Sequence, residues 1–137
     1  MTKPLLIISC ILGFISTPPS CGAAPSQDSN AQNITLAVGQ SVTARGTDIK
    51  LTLEDVAEDS RCPTGTTCIW AGDAVVNIAI TAGNKAPTKY TLHTNSPTRD
   101  AEYDGTKISL VTVLPYPLAD KQTRREEYRV TLSIQRK

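Results

Sequence analysis

The sequence predicts an all-β fold: an antiparallel β-sandwich, or a partly open barrel, of about seven short strands carrying one disulfide. Three observations predict it. Apolar residues recur with period two along most of the chain, the spacing that puts alternate side chains on one face of a strand. Glycine, proline and asparagine interrupt these runs at short intervals, as turns between strands require. No segment holds a 3.6-residue apolar period, so the crossover helices of a parallel sheet are missing.

The elements follow in order. Ile34, Leu36 and Val38 alternate with polar or small residues, and Gly39-Gln40 turns the chain. Val42 and Ala44 make a short second piece that Gly46-Thr47-Asp48 ends. Ile49, Leu51 and Leu53 alternate next, with Val56 continuing beyond a kink. After a loop bearing two cysteines come Ala74, Val76, Ile78 and Ile80. Gly83 to Pro87 turns the chain into a short strand at Tyr90 and Leu92. Residues 95–105 read as a polar loop. Ile108, Leu110, Thr112 and Leu114 then face one way, with Val111 and Val113 facing the other, as in a central strand. Pro115-Tyr116-Pro117 closes that run and residues 118–127 form a charged loop. Tyr128, Val130, Leu132 and Ile134 make the last strand.

The chain of 137 residues has room for one domain. Residues 1–20 read as a secretory signal: Lys3, an apolar run over residues 5–15, then Pro18-Pro19-Ser20. The run is too short to span a bilayer as a helix. Cys21 follows at the place where bacterial lipoproteins carry their acylated cysteine, and the lipid is expected there; the alternative is an ordinary signal-peptidase cut among the small residues Cys21-Gly22-Ala23-Ala24. Residues 21–32 then form a flexible polar tether and residues 33–137 the domain. The full chain has net charge +1, and losing Lys3 with the signal leaves 13 basic against 13 acidic side chains. So neutral a surface excludes a nucleic-acid binder, which needs a basic stripe. It equally excludes charge-driven adhesion to anionic lipid, leaving the acyl group as the membrane contact.

Of the four cysteines, Cys10 leaves with the signal and Cys21 belongs to its edge. Cys62 and Cys68 remain, and in an oxidising compartment they are expected to pair. Pro63 and Gly65 between them favour the turn that brings the sulfurs together. A zinc site would need three or four ligands, and His93 is the one histidine. No metal or other cofactor is expected.

The stretch Asp59-Ser60-Arg61-Cys62-Pro63, followed by Cys68-Ile69-Trp70-Ala71-Gly72-Asp73-Ala74, resembles the signature of a group of small bacterial exported proteins and lipoproteins with no settled activity. Leu51-Thr52-Leu53, Leu114 to Pro117 and Tyr128 to Leu132 resemble the same group, so the likeness spans nearly the whole exported part. It implies export, a β-rich domain and a disulfide, and it assigns no functional residue.

Two residues stand out as binding candidates. Trp70, the only tryptophan, is expected to pack on the disulfide and serve as the large anchor of an aromatic-poor core. The sharper alternative is an exposed anchor for a protein partner. Arg61, beside Glu58 and Asp59, is expected to hold the cysteine loop by a local ion pair. The alternative is recognition of a partner's carboxylate by its guanidinium fork. The acidic residues Glu54, Asp55, Glu58, Asp59 and Asp73 read as a solvated face, as do Asp100, Glu102 and Asp104, because the spacing of a calcium loop is absent. His93 is expected to point outward. Serine and threonine are plentiful, but none lies in a nucleophile elbow, so no enzyme is expected. The expectation is a monomeric, non-enzymatic module of the periplasm or cell envelope that binds an envelope protein. The alternative is a periplasmic domain for a small ligand or metal ion.

Overall fold

The computed structural model describes residues 31–137. Eight strands, all antiparallel, form two sheets of four: β1 (Ala31–Ala37), β8 (Arg129–Arg136), β7 (Thr106–Leu114) and β6 (Asp100–Tyr103) in one, and β2 (Ser41–Thr43), β3 (Ile49–Asp59), β4 (Ala74–Ala82) and β5 (Thr88–His93) in the other. The sheets are open and pack face to face, as the alternation predicted. The expected signal, Cys21 and most of the expected tether lie outside the described residues. Of the residues given to the tether, Ala31 and Gln32 belong to β1, opposite Gln135 and Ile134.

The core is aliphatic. Leu36, Leu51, Leu53, Val76, Ile78, Ile80, Leu92, Ile108, Leu110, Val130 and Leu132 are fully buried between the sheets. These are the residues with period two, because each strand turns every second side chain inward. Burying them supplies the main stabilisation, at about 1.5–3 kcal/mol for each large side chain.

Two elements differ from the sequence reading. Asp100–Tyr103 is a strand inside what reads as a polar loop. It lies at the sheet edge with Ala101 buried, Tyr103 packed against the core and the charged Asp100 and Glu102 exposed, as edge strands commonly show. In β7 a register shift between Leu110 and Thr112 adds a residue opposite β8. Such a bulge reverses the inside–outside phase beyond it. Val113 therefore enters the core and Leu114 is exposed, the opposite of the simple alternation. Arg99 closes the bulge: its Nε donates to the carbonyl of Leu110 (2.6 Å) and its Nη2 to that of Val111 (2.8 Å).

The register defines two ends. Ala31, Gln135 and Thr106 lie at one, whereas Ala37, Arg129 and Leu114 lie at the other. The hydrogen bond from Arg61 to the Val113 carbonyl brings the residue 60–73 loop of the second sheet to this latter end. The chain thus enters the domain at one end and displays the cysteine loop at the opposite one.

Candidate functional site

The loop leaves β3 after Asp59 and returns to β4 at Ala74, the residue paired with Asp59. Its base continues as a narrow ladder. The Ser60 amide donates to the Asp73 carbonyl (2.7 Å), the Asp73 amide to Ser60 Oγ (3.1 Å) and the Cys62 amide to the Ala71 carbonyl (3.2 Å). Gly72 makes this closeness attainable. Its φ is +67°, and a β-carbon there would lie 1.8 Å from the Ser60 carbonyl oxygen. Above the base, Cys62 and Cys68 are disulfide-bonded with Cα atoms 5.8 Å apart. Thr66 donates through its hydroxyl to the Pro63 carbonyl (2.7 Å), and the Thr64 amide donates to the Pro117 carbonyl (2.9 Å).

Arg61 fastens the loop from below. Its Nε donates to Asp59 Oδ1 and its Nη2 to Asp59 Oδ2, both at 2.7 Å. Nη1 donates to the Val113 carbonyl (2.6 Å) and Nη2 to that of Pro115 (2.9 Å), while the guanidinium lies 4.7 Å from the centre of the Tyr116 ring. The fork thus faces groups of its own chain, and the side chain is buried. The alternative role for Arg61, binding a partner's carboxylate, has no free surface here; the residue positions the loop instead. Asp59 also accepts from the Tyr128 hydroxyl (3.0 Å). Burial pushes the Asp59 carboxyl up, but the Arg61 hydrogen bonds and charge, with the Tyr128 hydroxyl, more than reverse this and hold it below the usual range. Burial and the Asp59 carboxylate together push the Tyr128 hydroxyl up.

Trp70 does not pack on the disulfide or join the core. It is 82% exposed, beside Ile69 at 94%. The reason lies in the ladder: residues 60–62 and 71–73 carry the β3–β4 pair past the end of the sheet, so the residues between them project beyond it. Val113 and the Arg61–Asp59–Tyr128 cluster already close the core there. Tyr116 and Leu118, also exposed, lie in the segment against which the loop rests.

The acidic residues do not gather into one group. Asp55 pairs with Arg125 (2.8 Å) and Asp59 with Arg61. Asp73 Oδ2 lies 2.6 Å from His93 Nδ1, while Asp73 Oδ1 accepts from the Thr94 hydroxyl (2.8 Å) and the Asn95 amide (3.0 Å). Burial acts to raise the Asp73 carboxyl, and the His93, Asn95 and Thr94 hydrogen bonds lower it on balance. His93 is half-buried in this cluster rather than pointing free into solvent. A cleft of about 710 Å³ opens between residues 55–59 of β3 and residues 117–125, with Tyr128 at its wall. The sequence pattern marks neither Tyr116 nor this cleft. The one available signal was Pro115-Tyr116-Pro117, which holds the chain extended beside Arg61.

No family model matches the chain, and no curated protein or solved structure is significantly similar to it.

Proposed function

We propose that this is an exported, non-enzymatic domain of the bacterial cell envelope, tethered by a lipid on Cys21, that binds another envelope protein through Ile69 and Trp70. Its likeness at residues 59–74 to small exported proteins and lipoproteins is part of that reading. The observation that carries it is the exposure of two adjacent large apolar side chains on a loop fixed by a disulfide, a backbone ladder and a buried ion pair. Exposed tryptophan contributes strongly to protein interfaces once buried there. A loop already held in one shape loses little entropy on binding.

The polarity of the domain favours a protein partner over lipid. Ala31 enters at the end opposite the loop, so a tether there directs Trp70 away from the membrane that holds it. The neutral charge balance agrees with this.

The test is a photo-crosslinking amino acid at position 69 in cells making the full chain. One dominant adduct that disappears with Trp70→Ala supports the reading. Adducts no different from those obtained with the crosslinker at exposed Lys50 overturn it. Intact mass of the purified protein reads the acyl chains on Cys21 and the disulfide in the same preparation.

A further inference from the structure

A second surface lies along the edge of β3 that β2 leaves uncovered. β2 pairs with β3 only as far as Thr52, and the last bonds on that side join Leu53 to Gly39 and Gln40. Beyond Leu53, β3 continues to Asp59 with β4 on one side alone. Its other edge borders the 710 Å³ cleft. Two register shifts, between Leu53 and Asp55 and between Val56 and Glu58, bend the strand along this stretch. Arg125 covers the start of the free edge, donating through Nη2 to the Glu54 carbonyl (3.0 Å). Residues 55–58 lie past that cover, with Ala57 and Glu58 exposed.

An unpaired strand edge with a groove beside it is the setting in which an extended peptide adds as a further strand, its main chain bonding to the edge. Charge narrows the choice of peptide. Of the charged groups lining the cleft, Asp55 is paired with Arg125, Asp59 with Arg61, and Lys121 with Glu127. Glu58 and Asp120 remain without an ion-pair partner among the described residues. Val56, Ala57, Pro117, Leu118 and Ala119 give the cleft apolar wall on which alternate side chains can rest.

We propose that the free edge of β3 at residues 55–58 accepts an extended segment of a protein partner as an added strand, with a lysine or arginine of that segment held by Glu58 and Asp120. Neither residues 55–58 nor Asp120 belongs to the Ile69–Trp70 surface, so the two sites stand or fall separately.

The test pans a displayed library of random linear peptides against the full chain and synthesises the enriched sequences. The expected peptides alternate apolar residues and carry a basic one. Their binding slows hydrogen exchange at those amides of residues 55–58 that do not face β4, and Trp70→Ala leaves it unchanged. Reversing both exposed charges, Glu58→Lys with Asp120→Lys, weakens them roughly fivefold or more. Methylating alternate peptide amides abolishes binding to the unaltered chain, a reading that needs no protein variant. The proposal is overturned if no sequence is enriched over an unrelated β-domain, if protection falls on residues 66–72 instead, or if methylated peptides bind equally well. It is also overturned if the free protein dimerises with the same amides protected, which makes a second copy the occupant.

Discussion

Arg61 and Asp59 form a two-point ion pair, with both contacts at 2.7 Å and both side chains 7% exposed. The pair welds the base of the cysteine loop to the end of β7, because the same guanidinium also reaches the Val113 and Pro115 carbonyls. Breaking a buried pair leaves an uncompensated charge, at a cost of about 3–5 kcal/mol. Arg61→Ala and Asp59→Asn are each expected to lower the unfolding free energy measured in urea by an amount in that range. A loss near zero in both would show that the pair is a surface contact.

The pH dependence follows from the lowered Asp59 carboxyl. The unfolded chain takes up this proton more readily than the native one, so the stability Asp59 contributes is fully present above the ordinary carboxylate range. It is lost as pH falls through the depressed native value. Unfolding followed from pH 7 into acid should show a falling limb that is flatter in Asp59→Asn. Parallel limbs in the two proteins would remove Asp59 as a cause.

Two glycines of the loop separate backbone strain from collision. Gly65 and Gly72 both have positive φ, at +85° and +67°, but a β-carbon at Gly65 meets nothing within 4 Å. Gly65→Ala therefore bears only the left-handed strain, about 1–2 kcal/mol. Gly72→Ala adds a clash with backbone and is expected to cost clearly more, or to pull the ladder between residues 60 and 73 apart. Thermal unfolding of the two variants decides it; equal losses would place Gly72 away from Ser60.

Much of the fold could be read from the residues, and the gaps have physical causes. Period two located the buried side chains of β1, β3, β4 and β8, because a sandwich core demands one inward residue in every two. It failed at Val113 and Leu114, where a bulge shifted the phase without leaving a signal in side-chain type. It missed β6, whose outward charges look like a loop. At the site, Pro63, Gly65 and the cysteines announced a closed turn, and the Arg61–Asp59 pair was foreseen from proximity. The exposure of Trp70 was not, since its ring is as apt for a core as for an interface. The cleft beside β3 depends on where β2 stops, and no local pattern encodes that.

The disulfide is expected to shape the loop more than to hold the fold. By the loop-entropy relation, so short a closed segment contributes about 2 kcal/mol. Replacing Cys62 and Cys68 together by alanine should lower stability by that amount while the far-ultraviolet spectrum stays that of the β-sandwich. The Arg61 pair and the bonds between Ser60 and Asp73 act below the bridge and remain. Loss of the fold in the double variant would make the bridge a condition of folding.

Trp70 offers the most direct check, because it is the chain's only tryptophan. At 82% exposure its emission in the native protein should already sit near that of the unfolded chain and be freely quenched by acrylamide. Trp70→Ala, touching no core, should alter stability by no more than about 0.5 kcal/mol. The same change should abolish the crosslink at position 69. An indole that matters for association and not for stability is the mark of an interface anchor. A blue-shifted, protected emission, or a destabilisation of about 3 kcal/mol as for a buried tryptophan, would return the ring to the core.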